Sequence, residues 1–312
     1  MTVFVEISIG SAPHQVPFEQ AHTVAAAAVA TGVTGLHLLE GTARNSTVDP
    51  SVTAAHLAGT HPALALLVDA STHHNAPYNL ARRVGSLDRA SAGRTGLVLR
   101  PGSGDEVSDA VTPSDSAVDD DAGRWSEYSQ ILAGLWDSFP ASALIGNQTA
   151  GVVVDDDQLA RIDHEGDFYR VRGPLDGPVS RQGRPPLVCA DIDELGAEAV
   201  VPYADVVIVD AHRVADILAA VRRTLTLVGR PQGAIAVLAR VDTDSSATDL
   251  LEWAERIGVD GFVVADSGTT DATLGAVHTL AAGLADGGGD TLREALGLVQ
   301  PSYGLETATV LA

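Results

Sequence analysis

The chain contains no lysine and a single cysteine, Cys189, among its 312 residues. One cysteine excludes an internal disulfide and a zinc site built from several thiolates, and it is typical of a reducing compartment. All 19 basic residues are arginine, and with 41 acidic residues the formal net charge is −22. A field of that sign disfavours non-specific binding to nucleic acid and to anionic lipid surfaces. We therefore expect no nucleic-acid partner.

Long apolar runs and aromatic residues are also scarce. No stretch approaches the roughly 18 apolar residues that a membrane span requires, and the first six residues lack the basic start and apolar run of a signal peptide. We therefore expect a cytoplasmic protein with no membrane partner. Aromatic residues make up 4% and hydrophobic residues 45% of the chain, so its core must consist mainly of Ala, Val, Leu and Ile.

What the sequence does contain is a regular alternation of short apolar, β-branched runs with Ala-rich segments of helical period. The predicted strands cover residues 3–8, 36–39, 63–69, 95–100, 187–190, 205–209, 234–240 and 261–264. Parallel strands need crossover helices, and eight strand–helix units close a barrel, so the pattern predicts a (β/α)8 TIM barrel. An open doubly wound sheet is the alternative, but no G-x-G-x-x-G follows the first strand. We expect residues 1–312 to form one domain.

Residues 140–185 interrupt this alternation between the fourth helix and the fifth barrel strand. We interpret them as an irregular excursion with a hairpin over residues 160–172. About 45 residues with few apolar side chains cannot build a core of their own, so the excursion is not expected to be a separate domain. His164 lies within it, and a loop hydrogen bond is the role we expect for that side chain.

The carboxyl ends of the strands, where barrel enzymes place their chemistry, carry many polar residues. They are Ser8, Glu40, Asp69, Ser71, Thr72, His73, His74, Arg100, Cys189, Asp191, Asp210, His212, Arg240, Asp242, Asp266 and Ser267. Four of the aspartates stand ahead of predicted helices, and either a helix N-cap or a solvated loop position is the role expected of each: Asp191, Asp210, Asp242 and Asp266.

Neither a metal site nor a nucleophile is indicated by the spacing of these residues. His73 and His74 are adjacent, so in an extended chain they point to opposite sides, and no metal site is expected. Cys189 has no basic neighbour to lower its pKa and is expected to be a buried strand residue. No G-x-S-x-G elbow is present. Tyr78 with Arg82, and Trp136, have helical spacing that is typical of packing. No catalytic residue is assigned.

Several segments, in order along the chain from Ala76 to Leu298, resemble one protein family. They are residues 76–83 (APYNLARR), 86–88 (SLD), 91–94 (SAGR), 134–138 (GLWDS), 162–166 (IDHEG), 171–175 (VRGPL), 182–185 (QGRP), 258–262 (GVDGF) and 291–298 (TLREALGL). The chain is thereby similar to the bacterial luciferase-like flavin monooxygenases, in the branch of the nitrilotriacetate and dibenzothiophene-sulfone monooxygenases.

The resemblance implies a barrel, often dimeric, that binds reduced FMN supplied by a separate flavin reductase and oxidises a small organic substrate with O2. It implies cofactor contacts for Glu40, which stands where the family has Asp, and for the small hydroxyl residues Ser71 and Thr72. Arg100 is a further candidate, as a replacement contact for an anionic group.

Other cofactor positions depart from the family pattern. Val98 stands where an Asn would contact the flavin ring. After the fifth strand, where the family has a Gly-Ser-rich turn for the phosphate, this chain carries Asp191, Asp193 and Glu194, whose charges would repel a dianion. Two hypotheses therefore stay open. The chain is either an FMN-dependent monooxygenase with a divergent site or a non-catalytic barrel that has lost flavin binding and acts as a partner or regulatory paralogue.

Overall fold

The structure is a computed structural model, and it describes residues 1–41, 46–72, 75–102, 120–286 and 288–299. His73, His74 and residues 103–119, which include part of the loop after the fourth barrel strand, lie outside the described residues.

The described residues form a closed eight-stranded parallel barrel and one separate hairpin. In chain order the strands are β1 (Thr2–Ile7), β2 (Gly35–Leu38), β3 (Ala65–Ser71), β4 (Thr95–Arg100), β5 (His164–Glu165), β6 (Arg170–Val171), β7 (Leu187–Cys189), β8 (Val206–Asp210), β9 (Ala236–Val241) and β10 (Gly261–Val264). All except β5 and β6 belong to the barrel, whose order is β1-β10-β9-β8-β7-β4-β3-β2. The predicted TIM barrel is confirmed. β4 and β10 have the predicted bounds, and β3 and β9 each begin two residues later than predicted.

Helices connect consecutive barrel strands, as parallel pairing requires. The α-helices are Ala21–Ala30, Pro50–Thr60, Pro77–Ala90, Asp121–Asp137, Ile192–Leu195, Ala197–Val200, Val214–Leu227, Ala247–Ile257, Thr270–Ala276, Ala282–Leu284 and Leu292–Ala295. The helix Pro50–Thr60 begins at an Asp-Pro pair, because the Asp49 carboxylate accepts a hydrogen bond from Ser51 N at 2.8 Å and Pro50 occupies the first turn. Within the described part of the chain, no helix is both long and apolar enough to cross a membrane.

Every second side chain of a barrel strand points inward. These inward side chains are apolar over most of the interior and polar at one end. Apolar side chains from seven of the eight strands join three leucines of the C-terminal segment in one buried cluster: Phe4, Ala65, Leu67, Val98, Val188, Val206, Ile208, Ala236, Leu238, Val263, Leu292, Leu296 and Leu298. Gly35 of β2 is needed beside Phe4, because a Cβ there would lie 2.8 Å from Phe4 Cε1 and 2.2 Å from Ala65 O. The polar end is the carboxyl end of the strands, which we call the mouth.

A glutamate of the helix Asp121–Asp137 holds the hairpin of the excursion on the outside of the barrel. Glu127 accepts hydrogen bonds from Phe168 N at 3.0 Å and Tyr169 N at 2.8 Å, and its Oε1 lies 3.0 Å from His164 Nε2. The predicted hairpin is present as the antiparallel pair β5–β6, and the loop hydrogen bond expected for His164 is confirmed. Trp136 is buried and donates to Ala81 O at 3.0 Å, which confirms its place in the core.

A buried polar network, which we call the N-terminal latch, closes the end of the barrel opposite the mouth. The Asp88 carboxylate accepts hydrogen bonds from Thr95 N, from the Ser180 hydroxyl and from Gln182 Nε2. Arg293 N in turn donates to Gln182 Oε1 at 3.2 Å. The latch therefore joins the third crossover helix, β4, the excursion and the C-terminal segment.

A buried arginine, Arg293, connects the latch to the residues at the start of β7 and β8. Arg293 is 2% exposed, and its Nη2 lies 2.8 Å from Asp205 Oδ2 while its Nε donates to Arg184 O at 2.8 Å. Asp205 also accepts a hydrogen bond from Leu187 N at 3.0 Å. The C-terminal segment is thereby fixed to the start of β7 and to the residue before β8.

Candidate active site at the barrel mouth

Four charged side chains from β1, β2, β3 and β9 fill the inner part of the mouth, and we call them the ion cluster: Glu6, His37, Asp69 and Arg240. His37 Nε2 lies 2.6 Å from Asp69 Oδ1, and its Nδ1 lies 3.7 Å from Glu6 Oε1, an ion-pair distance longer than a hydrogen bond. Arg240 donates to both oxygens of Glu6 at 2.9–3.0 Å. His37, Glu6 and Asp69 are at most 5% exposed, so these charges are compensated by one another rather than by water.

The pKa values of His37 and Glu6 favour the charged forms of these two side chains. Burial acts to lower the pKa of His37, but the adjacent Asp69 and Glu6 carboxylates outweigh it and raise that pKa to about 9. Burial acts to raise the pKa of Glu6, but contacts with His37 and Arg240 lower it to about 2. A protonated His37 between two carboxylates cannot serve as a general base near neutral pH, so its role is to hold Glu6 and Asp69 in place.

These shifted pKa values predict how stability depends on pH. Because the pKa of His37 rises from 6.5 to about 9 on folding, its stabilisation is complete below pH 6.5 and is lost as the pH rises towards 9. For Glu6, whose pKa falls from 4.5 to about 2, stabilisation is present above pH 4.5 and is lost towards pH 2. Relative to His37→Gln, the wild-type free energy of unfolding should fall by on the order of 3 kcal/mol between pH 6.5 and 9. Urea unfolding at a series of pH values measures this, and parallel profiles for the two proteins would contradict the assignment.

Three of the four predicted cofactor residues lie together beside the ion cluster, on β3, β4 and the loop that follows β2. Glu40 Oε2 accepts a hydrogen bond from Ser71 N at 2.9 Å, and Ser71 pairs with Arg100 in the register of β3 and β4. We call Glu40, Ser71 and Arg100 the mouth wall. Thr72 donates its N–H to Arg100 O at 3.0 Å, but its side chain is buried and its hydroxyl has no hydrogen-bond partner among the described residues.

The turn after β7, where the resemblance implies a phosphate site, is occupied by ion pairs within the chain. Asp191 Oδ1 lies 3.0 Å from Arg100 Nη2, and Asp193 Oδ1 lies 2.9 Å from Arg213 Nη2. A phosphate dianion in this turn would meet carboxylates rather than free donors. The turn after β7 therefore does not offer the free donors that the phosphate of FMN would need. Val98, which stands where the family has Asn, is buried in the interior cluster and is not exposed in the mouth.

Of the two roles expected for the four aspartates at the strand ends, a helix N-cap through the side chain is not observed, whereas the solvated loop position is observed for Asp242. Asp191 and Asp210 precede helical turns but make no side-chain cap hydrogen bond, because Asp191 pairs with Arg100 while Asp210 lies 3.5 Å from Arg240.

The other two aspartates of that prediction stand too far from the helices that follow them. Ser246 and Thr269 cap those helices. Asp266 instead accepts from Gly268 N within a turn at 2.9 Å, and Asp242 is exposed.

Glu6 and His37 are functional candidates that the sequence pattern did not identify, because they lie inside β1 and β2 rather than after them. The available signal was alternation: Glu6 shares a face with Phe4, and His37 shares one with Gly35. Cys189 is fully buried, and burial raises the pKa of its thiol to about 12, which confirms an inert strand residue. The described ranges contain no group of three or more metal-ligating side chains arranged for an ion.

A match to a known protein family identifies the group of proteins to which the chain belongs. The family described as luciferase-like monooxygenase matches residues 1–249, which is more than half of the chain. The chain belongs to the luciferase-like monooxygenase family. The resemblance carried by its sequence segments is thus confirmed at the level of the family.

Relatives within the luciferase-like family are distant and mostly matched over part of their length. N-acetyl-S-(2-succino)cysteine monooxygenase of Bacillus subtilis (strain 168) is 29% identical over 51% of this chain, and nitrilotriacetate monooxygenase component A of Aminobacter aminovorans is 30% identical over 54%. The matched regions cover only 36% and 38% of those two proteins. A pristinamycin IIA synthase subunit of Streptomyces pristinaespiralis is 29% identical over 75% of this chain and 72% of its own length.

Solved structures show that the whole luciferase-like barrel is shared. EDTA monooxygenase from Chelativorans sp. BNC1 superposes with a TM-score of 0.78 at 19% identity, covering 97% of this chain and 100% of that one. Long-chain alkane monooxygenase gives a TM-score of 0.81 at 16% identity, covering 97% and 96%. At such identities the superpositions establish the fold alone.

Proposed function

We propose that this chain is a flavin-dependent monooxygenase that oxidises a small organic substrate with O2 and reduced FMN, which a separate flavin reductase supplies. The observation that carries the proposal is the family match over residues 1–249 combined with a mouth wall in which Glu40, Ser71 and Arg100 lie together on neighbouring strands. Similar proteins include a nitrilotriacetate monooxygenase component A, a name that itself implies a second component.

The protein and the flavin would have different roles in catalysis. A bound reduced flavin supplies the electrons that activate oxygen, while the protein binds and orients the reactants and keeps water out. The mouth wall would contact the polar edge of the flavin ring. The ion cluster beneath it would keep Glu6 and Asp69 fixed, so that the floor of the site does not rearrange when a ligand enters.

We expect weak flavin binding because of the ion pairs in the turn after β7. Because Asp191 and Asp193 are engaged there with Arg100 and Arg213, that turn adds little affinity for the FMN phosphate. Reduced FMN would then act as a diffusible substrate that is bound mainly through its ring. Such behaviour is compatible with delivery by a separate reductase.

A second candidate function is a non-catalytic barrel that serves as partner or regulatory paralogue of an active luciferase-like enzyme. The observation favouring it is that both described arginines at the strand ends of the mouth, Arg100 and Arg240, are already ion-paired with carboxylates. One relative is also a subunit of a synthase, as its name states. Under this hypothesis the mouth would not bind flavin at all.

Anaerobic titration with reduced FMN separates the two functions. For the monooxygenase we expect a dissociation constant on the order of 10 µM, which corresponds to about −7 kcal/mol. Glu40→Ala should weaken this binding by about tenfold, because it removes a polar group of the mouth wall. Glu255→Ala, an exposed position on the helix Ala247–Ile257, is the matched control and should leave the affinity unchanged.

Two results would contradict the monooxygenase proposal. One is the absence of binding up to about 1 mM reduced FMN, which is only about −4 kcal/mol and would favour the non-catalytic function. The other is binding that Glu40→Ala and Glu255→Ala leave equally intact, since the flavin would then lie elsewhere.

A further inference from the structure

The ion pair between Arg100 and Asp191 bridges neighbouring barrel strands at the mouth. Arg100 is the last residue of β4, and Asp191 follows β7, with 3.0 Å between Nη2 and Oδ1. The Arg100 side chain is 37% exposed, so a ligand in the mouth can reach it, while that of Asp191 is 12% exposed. Arg100 is thus an accessible cation whose described charged partner is an internal carboxylate.

Asp191 is poorly stabilised as an anion in this position. Its Oδ2 is buried and has no hydrogen-bond partner among the described residues. Burial raises its pKa to about 6; the charge of Arg100 opposes this rise, and Glu194 and Asp69 reinforce it while His37 opposes it. The contact with Arg100 is therefore the main favourable interaction that the Asp191 carboxylate makes.

Arg240 on β9, three strands from β4 in the order of the barrel, provides the contrast. Its guanidinium contacts both oxygens of Glu6 and lies 3.5 Å from Asp210 Oδ1, so two carboxylates hold it. An anion entering the mouth would have to displace two partners at Arg240 but only one at Arg100. An anionic ligand group would therefore bind at Arg100, where it would compete with the Asp191 carboxylate for the guanidinium.

We propose that Asp191 occupies the anion subsite of Arg100 and makes the mouth select flavins through their ring rather than through a phosphate. The inference rests on the proposed function, since it assumes that flavin enters the mouth. A tethered carboxylate competes at high effective concentration with any free phosphate. The mouth therefore gains little from the phosphate of FMN, and Asp191 is a specificity-determining residue.

The test compares two flavins that differ only in the phosphate: reduced riboflavin and reduced FMN, titrated anaerobically at constant ionic strength. Wild-type protein should bind reduced riboflavin at least as tightly as reduced FMN. Asp191→Asn keeps the shape of the side chain and removes its charge. It should tighten FMN binding by about tenfold and change riboflavin binding by less than about twofold. Asp191→Ser should change the ratio of the two affinities in the same direction.

Asp242→Asn is the matched control, because it removes one carboxylate from an exposed position after β9 with no described ion pair. If it tightens FMN binding as much as Asp191→Asn does, the effect is general charge repulsion and the inference is overturned. A wild-type preference for FMN over riboflavin of tenfold or more would overturn it as well. If riboflavin binds but neither Asp191 variant changes the ratio, the inference fails while the proposed function stands.

Flavin binding that appears only in the Asp191 variants would support the inference and count against the proposed function for the natural chain. No binding of either flavin by any variant would overturn both. Far-ultraviolet circular dichroism and urea unfolding of each variant show whether the fold is retained.

Discussion

Replacing His37 with glutamine should lower the free energy of unfolding at pH 6 by about 3–5 kcal/mol. The buried imidazolium lies 2.6 Å from Asp69 and 3.7 Å from Glu6, and all three side chains are at most 5% exposed. Glutamine has a similar volume but no charge, so Asp69 would lose its charged partner and Glu6 would keep only Arg240. Urea unfolding followed by circular dichroism measures the difference.

An exposed histidine supplies the control for this substitution. His278 lies on the outer surface of the π-helical turn Val277–Ala281, and His278→Gln should change the free energy of unfolding by less than about 0.5 kcal/mol. If His37→Gln cost no more than His278→Gln, the imidazole would be neutral in the folded protein. The ion cluster would then not be a charged assembly.

Arg293→Met should destabilise the protein by a comparable amount, about 3–5 kcal/mol, at the opposite end of the barrel. Methionine retains much of the apolar stem but removes the ion pair with Asp205 and the hydrogen bond to Arg184 O. The Asp205 side chain, which is 19% exposed, would lose the guanidinium that lies 2.8 Å from its Oδ2. The same unfolding measurement applies, and it should show a lower denaturant midpoint with an unchanged slope.

The exposed pair of Arg172 with Asp163 is the matched control for that prediction. These side chains are 79% and 63% exposed at 3.5 Å, and solvent screening limits the effect of Arg172→Met to within about 0.5 kcal/mol. Equal effects for Arg293→Met and Arg172→Met would show that the N-terminal latch does not stabilise the barrel.

The barrel could be predicted because its signals are local and repeated. Residues 95–100 and 261–264 are apolar runs between glycine-containing turns, and both strands have the predicted bounds. The cap at Asp49 is equally local, since Asp-Pro fixes the start of the helix Pro50–Thr60. Ser246, rather than Asp242, caps the helix Ala247–Ile257, because the length of the loop before that helix depends on tertiary packing.

Three of the nine segments that carry the family resemblance contribute residues to the N-terminal latch, at the end of the barrel opposite the mouth. Asp88, Gln182 and Arg293 each belong to one of those segments, and they contact one another or share partners. In a barrel this end governs stability, whereas the opposite end carries chemistry. The sequence could therefore identify the fold and the family while its cofactor positions, such as Val98 and Asp191, differed from the family pattern.

The mouth was only partly predictable. Glu40, Ser71 and Arg100 were expected there and do lie together, although their contact with a flavin stays a prediction. The ion cluster was not foreseen because Glu6, His37, Asp69 and Arg240 are up to 234 residues apart along the chain. Glu6, His37 and Asp69 lie on the neighbouring strands β1, β2 and β3. Arg240 reaches them because the barrel closes between β1 and β10, which places β9 nearby.

The most direct test of the proposed site is a crystal structure of the protein with FMN bound. It should show the flavin ring against Glu40, Ser71 and Arg100, with the phosphate away from the turn after β7 and Asp191 still paired with Arg100. A phosphate seated in that turn with Asp191 displaced would contradict binding directed by the ring. A mouth without flavin at saturating FMN would contradict the monooxygenase itself.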